Sequence, residues 1–234
     1  MATIIKKPNQ HFDATTYTGT GSTNTITNAG GFQPDLVWVK NRTTAGAEHE
    51  LIDSVRGSTK GLQSSTTAAE VTDANFPTIT STGFTVGASS YTNQNGASLV
   101  AWQWKAGGAS TVNASGTISS NVSVNTTAGF SIMTYTGTGS NGTVGHGLST
   151  APKMVIVKSR GNGGNEWCVW HTSLTNATYY LYLNGTSAQA VATTFWNSTA
   201  PTSSVISLGT DVRTNRSSGN FVCYAFAEIG RAHV

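Results

Sequence analysis

The sequence predicts an all-β protein built as two tandem antiparallel β-sandwich modules, jelly-roll-like, from an internal duplication. Three observations carry that prediction. Short apolar runs recur at the roughly 8–12-residue spacing of sandwich strands, each bounded by Gly, Asn, Ser or Pro. Several runs alternate with a period of two. Three blocks of sequence occur twice, in the same order.

The blocks fix the module boundaries. "YTGTGS" at Tyr17–Ser22 returns unchanged at Tyr135–Ser140, and "PDLVWVKNR" from Pro34 is matched by "PKMVIVKSR" from Pro152, both displaced by 118 residues. "GASLVAWQWKAGG" (Gly96–Gly108) corresponds to "SGNFVCYAFAEIG" (Ser218–Gly230), displaced by 122, so one loop of the second copy is four residues longer. The first module therefore spans residues 1–108 and the second 130–228. Residues 109–129 connect them, and "NVSVN" within that stretch can already be a first strand of the second module. One larger sandwich that pairs strands between the copies is the alternative arrangement.

The strands follow in order. "FDATTYTG", "DLVWVKN", "HELIDSV", "GFTVGA" and "SLVAWQWKA" make up the first copy. "FSIMTYTG", "KMVIVKS", "EWCVWHT", "YYLYLNG", "SVISLGT" and "NFVCYAFAE" make up the second. The continuous runs "LVWV" and "MVIV" read as central strands covered on both faces. Val100, Trp102 and Trp104 share one strand face and are expected to be the buried one, with Ala101, Gln103 and Lys105 opposite. Val222, Tyr224 and Phe226 repeat the pattern. Trp38, Trp102 and Trp104 are expected in the core. "STTAAEV" offers one helical turn at most.

Gly137, Gly139 and Gly142 fit the G-x-G-x-x-G spacing of a dinucleotide-binding loop. Such a loop must open a helix, and an acidic residue must follow about 20 residues on. Here β-branched residues and glycine follow, and the first copy has Asn24 at the third glycine position. The glycines instead suit a hairpin turn that needs positive φ.

Composition excludes several classes. Charged residues are 10% of the chain against 37% apolar, so the chain is folded rather than disordered. The net charge of +3 is scattered, with no basic stripe, so no nucleic-acid partner is expected. No apolar run is long enough to span a membrane. The start "MATIIKKPNQHF" has no apolar signal region, which points to folding in a cytoplasm. Cys168 and Cys223 are then expected as two buried free thiols. At the other end, "EIGRAHV" matches the in-frame translation of a common sequencing-adapter oligonucleotide. Residues 229–234 therefore carry no functional argument, and the origin looks metagenomic.

Chemistry is sparse. A glycosidase needs two facing carboxylates, and the one dense acidic patch holds Glu48, Glu50 and Asp53. Its duplicate keeps only Glu166, opposite Glu48. His11, His49, His146 and His171 lack metal-ligand spacing. No metal site and no cofactor are expected; Ca2+ would fit Asp and Asn loop oxygens, but no D-x-D-x-D loop marks it. Aromatic rings can stack on sugars while Asn and Thr take the hydroxyls. The candidate ligand-binding residues are Trp196 and Asn197 in "TTFWNSTAP", and Tyr91 and Asn93 in "SSYTNQNG".

The ordered set of motifs runs from "YTGTGS…GFQPDLVWVKNR…DSVRGSTKGL…GFTVG…SLVAWQWKAGG" to "AGFSIMTYTGTGSNGTVGHGLSTAPKMVIVKSR…YLYLN…FWNSTAPTSSVISLGT…FVCYAFAE". It resembles an uncharacterised repeat family of tailed phages, often marine, described as virion or tail structural proteins. That resemblance implies a phage particle component with concanavalin-like or jelly-roll-like modules and carries over no catalytic or binding residue. The leading expectation is a non-enzymatic tail or tail-fibre-associated protein, a homo-oligomer whose partners are other virion subunits or a host-surface polysaccharide. A glycan depolymerase and a purely architectural capsid or head decoration protein are the alternatives.

Overall fold

The computed structural model describes residues 7–161 and 163–228, which form nineteen strands, two single-turn α-helices and one 3-10 turn at Pro8–Gln10. The stretch read as adapter-encoded lies outside the described residues. The first half carries β1 (Phe12–Thr18), β2 (Asn24–Thr27), β3 (Leu36–Asn41), β4 (Glu50–Asp53), β5 (Lys60–Gln63), β6 (Val71–Thr72), β7 (Thr78–Thr80), β8 (Gly83–Val86) and β9 (Ser98–Trp104). The second half carries β10 (Thr111–Asn113), β11 (Ser120–Asn125), β12 (Phe130–Thr136), β13 (Gly142–Gly145), β14 (Pro152–Ser159), β15 (Cys168–His171), β16 (Tyr179–Tyr182) and β17 (Ala190–Val191). It is completed by α1 (Thr193–Trp196), β18 (Val205–Leu208), α2 (Val212–Asn215) and β19 (Asn220–Ala227).

Each half is an antiparallel sandwich of one large and one small sheet. The large sheets run β1-β9-β3-β4-β5-β6 and β10-β11-β12-β19-β14-β15-β16-β17, against small sheets β2-β8-β7 and β13-β18. Strands at matched sequence positions hold matched sheet positions: β1 with β12, β9 with β19, β3 with β14. The second sheet continues past β12 into β10 and β11. At the corresponding edge, β1 has no further strand among the described residues. The connection thus supplies two edge strands, the second of them containing "NVSVN".

No ladder joins the halves among the described residues; they pack face to face. Each sandwich has its own core, with Val37, Leu99 and Phe84 in the first and Val157, Cys223 and Leu208 in the second. A third core lies between the two large sheets, where Leu36, Leu51 and Leu62 meet Ile132, Ile156 and Val222. Full burial of such a side chain contributes about 1.5–3 kcal/mol, so the six together bind the sandwiches strongly. The order of layers is small, large, large, small.

This layering corrects the expected burial of β9. Leu99, Ala101 and Gln103, which face the small sheet, are fully buried at 0% exposure, whereas Val100, Trp102 and Trp104 are only half-buried. The alternation is as expected, but both faces are covered, and the small-sheet face is covered more completely. The Trp104 ring centroid lies 6.2 Å from those of both Phe130 and Phe226 across the seam.

The cysteines are free and buried. Cys168 on β15 and Cys223 on β19 both pair with Val157 of the strand between them. Two strand spacings, about 9.6 Å, exceed the ~7 Å limit for a disulfide.

Candidate functional site

The repeated "YTGTGS" segment is not a hairpin turn. β1 and β2 lie in different sheets, so the segment is a corner that carries the chain from one layer to the other. Of the three glycines expected to need positive φ only Gly139 has it, at 75°, matched by Gly21 at 68° in the first copy; Gly137 and Gly142 do not, and Gly142 starts β13. Gly19 and Gly137 are needed for a different reason: a Cβ there would lie 2.1 Å from the Gln94 carbonyl oxygen and 2.4 Å from that of Arg216.

Asn93 closes this corner and is 0% exposed. Its Oδ1 accepts from the Thr20 backbone N–H at 2.9 Å, and its Nδ2 donates to the Ser22 and Gly87 carbonyls at 2.5 and 2.9 Å. All of its side-chain bonding is spent inside the protein. The expectation of Asn93 as a ligand contact is therefore overturned. Its neighbour Tyr91 is 36% exposed on the same loop.

Trp196 is likewise not a surface residue, being 1% exposed. "TTFW" coils into the single turn α1, which ends where Asn197 adopts the left-handed region at φ 49°. That turn aims both Phe195 and Trp196 inward, and Phe195 stacks on Tyr180 with centroids 4.1 Å apart. Burying two large rings outweighs the loop character of their polar neighbours. Asn197 itself is exposed. Tyr91 and Asn93 belong to the first sandwich and Trp196 and Asn197 to the second, so the four candidates do not form one site.

The acidic patch is spent on structure. β4 starts at Glu50, so Glu48 lies before the strand, where it accepts a short hydrogen bond from Ser65 Oγ. Glu50 is fully buried; its Oε1 accepts from Gln63 Nε2 at 2.8 Å, and its Oε2 has no partner among the described residues. Burial pushes its pKa up, helped by the Glu48 and Asp73 charges and opposed by the Gln63 bond and Arg56. Asp53 pairs with the buried Arg56 and accepts from Tyr224 Oη of the second half at 2.7 Å.

Around this pair runs a charged seam. Glu70 takes Arg56 Nη1 at 3.1 Å and Arg160 Nε at 2.8 Å, joining the halves. Burial acts to raise the Glu70 pKa, but bonds and charge from Arg160 and Arg56 prevail and hold it below the usual carboxylate range. Lys158 donates to the Thr67 carbonyl across the same seam at 3.1 Å, and burial lowers its pKa to about 8. Asp53 lies only three residues from Arg56, but nothing local in the sequence shows that the pair is buried, because Tyr224, which lies against both, is 168 residues from Arg56.

Several clefts stay open, among them two of about 300 Å³ or more. One, of about 390 Å³, lies at the seam between Phe12, Trp104, Phe130 and Phe226, with His11 its one ionisable side chain. The other, of about 300 Å³, lies in the second sandwich beneath the Ala200–Pro201 turn, between Trp170, His171, Asn176 and Lys153. Trp170 is 6% exposed and its Nε1–H has no partner among the described residues. No cluster of three metal-ligating side chains occurs among the described residues. In the sequence "CVWH" reads as an ordinary core strand, so nothing local marks Trp170 as lining a cleft.

Fold and clefts together define an all-β double sandwich with a shared central core and a small polar cleft at one end. The chain belongs to the family described as "Domain of unknown function (DUF7483)", whose model matches residues 7–231. No curated protein and no solved structure matches it. No helix among the described residues is long and apolar enough to cross a membrane.

Proposed function

We propose that this chain is a non-enzymatic structural protein of a phage particle, a tail or tail-fibre-associated double sandwich that contacts host-surface glycans. The reading rests on the sequence resemblance and on one structural observation. Asp53 and Glu70, which a hydrolase would need free for proton transfer, are held in ion pairs that lock the two halves together. A chain with few charges that uses its carboxylates in this way is built for rigidity outside a cell.

Duplication of one module belongs to the same reading, supported by the matching strand orders of the two large sheets. So does assembly into a homo-oligomer beside other virion subunits after folding in the host cytoplasm. The test has two parts. Mass spectrometry of purified phage particles encoding the chain is expected to detect it as a stoichiometric component. Biolayer interferometry against a panel of bacterial surface polysaccharides is expected to show selective binding without shortening of the polymer. Absence from particles would overturn the virion assignment. Depolymerised product would overturn the non-enzymatic one.

A further inference from the structure

We infer that the cleft beneath Pro201 is a subsite for one acidic sugar unit, a uronate of a host polysaccharide; this inference rests on the glycan-binding reading above. The argument is an inventory of donors and acceptors. Trp170 contributes its ring to the cleft wall. His171 Nδ1 accepts from the Ser173 backbone N–H at 3.0 Å, which leaves Nε2 as the donor of the neutral ring. Asn176 Oδ1 accepts from the Thr178 N–H at 2.8 Å and from Thr178 Oγ1 at 2.6 Å, so its Nδ2 hydrogens remain to be given.

Thr175 Oγ1 accepts from Gln189 Nε2 at 2.9 Å, which leaves its own hydrogen to donate. Lys153 adds a cation, paired only loosely with the exposed Glu228 at 3.7 Å. No carboxylate is among the lining residues. Four side chains therefore offer hydrogens, and no carboxylate of the lining itself balances them. A ligand rich in acceptor oxygens and carrying negative charge completes the set. The volume of about 300 Å³ lies at the small end of ligand clefts and suits one ring rather than an oligosaccharide. Pro152, Leu174 and the Trp170 ring give the apolar wall that a sugar face needs.

The experiment is isothermal titration of the full chain with glucuronate and, separately, with glucose, alongside the polysaccharide panel. Glucuronate is expected to bind at least about tenfold more tightly than glucose, and to weaken severalfold as salt rises. Lys153→Gln and Asn176→Ala are each expected to weaken glucuronate binding about tenfold while leaving the melting temperature unchanged. Equal binding of glucose and glucuronate, or none of either while the polysaccharide panel still binds, overturns this inference alone. Loss of all polysaccharide binding in the folded wild type overturns the glycan-binding reading with it.

Discussion

Asn93 and Asn215 hold the two "YTGTGS" corners with the same atoms. Asn215 Oδ1 accepts from Thr138 N–H at 2.8 Å, as Asn93 does from Thr20, and its Nδ2 donates to the Ser140 and Gly209 carbonyls at 2.6 and 2.8 Å. The backbone repeats as well: Gly21 N–H donates to the Asn93 carbonyl at 2.9 Å and Gly139 N–H to that of Asn215 at 2.7 Å. Tyr17 and Tyr135 complete each corner by donating to the Thr92 and Thr214 carbonyls. The sequence repeat thus corresponds to a repeated hydrogen-bond network, which only asparagine, with one acceptor and two donors on a short stem, can serve.

Replacing either asparagine by alanine leaves three backbone groups of its corner, most of them only partly buried, without their side-chain partner. Asn93→Ala and Asn215→Ala are each expected to cost about 1–3 kcal/mol of stability. Urea denaturation measures this, and an unchanged midpoint would show that the corners hold without their clamp.

Trp196→Ala is expected to act on stability rather than on ligand binding. Removal of a ring that is 1% exposed leaves a cavity in the second core, at a cost of about 3–5 kcal/mol. Thermal melting with polysaccharide binding measured in parallel separates the two effects.

The seam makes the two sandwiches one cooperative unit. Arg56→Met leaves the Asp53 carboxylate buried beside Tyr224 without its cation, a change expected to cost about 3–5 kcal/mol. Because the third core is shared, calorimetry is expected to show a single unfolding transition in both proteins. Two separated transitions in the wild type would mean that the sandwiches fold independently.

Glu50 gives the stability a pH dependence of definite sign. Burial raises its native pKa, so the folded state keeps a proton that the unfolded chain releases. The corresponding stabilisation is complete below the unfolded value of about 4.3 and is lost as pH rises through the higher native value. Glu50→Gln keeps the shape without the titration. Its melting temperature relative to wild type is expected to climb from about pH 4 to neutral, and parallel curves would refute the buried proton.

The thiols provide a check on packing. Burial pushes the Cys168 and Cys223 pKa values up, so neither is a thiolate at neutral pH. Ellman's reagent is expected to leave both untouched in the native protein and to titrate both in guanidinium. Reaction of either before unfolding would place it nearer the surface than described.

Much of the architecture was legible in the sequence because it depends on local rules. A period of two marks a strand whatever packs on it, glycine in a turn announces positive φ, and two matching blocks give matching strands. Free buried cysteines were expected on a different ground, the lack of an apolar signal region at the start of the sequence. The candidate site was far less legible. Trp196 and Asn93 both sit in polar stretches that read as loops, and only their long-range partners show that one fills a core and the other clamps a corner.

The sequence by itself determined the all-β class, the order of the strands and the doubled motif, since hydrophobic period and turn chemistry are written residue by residue. Tertiary structure alone decided that the two sandwiches stack through a third core, that β9 is covered on both faces, and that Arg56 is buried against Tyr224. It also decided which polar side chains remain unsatisfied around Trp170. The physical reason is distance along the chain: burial and hydrogen bonding are settled by residues a hundred or more positions apart, and no local pattern encodes which of them will meet.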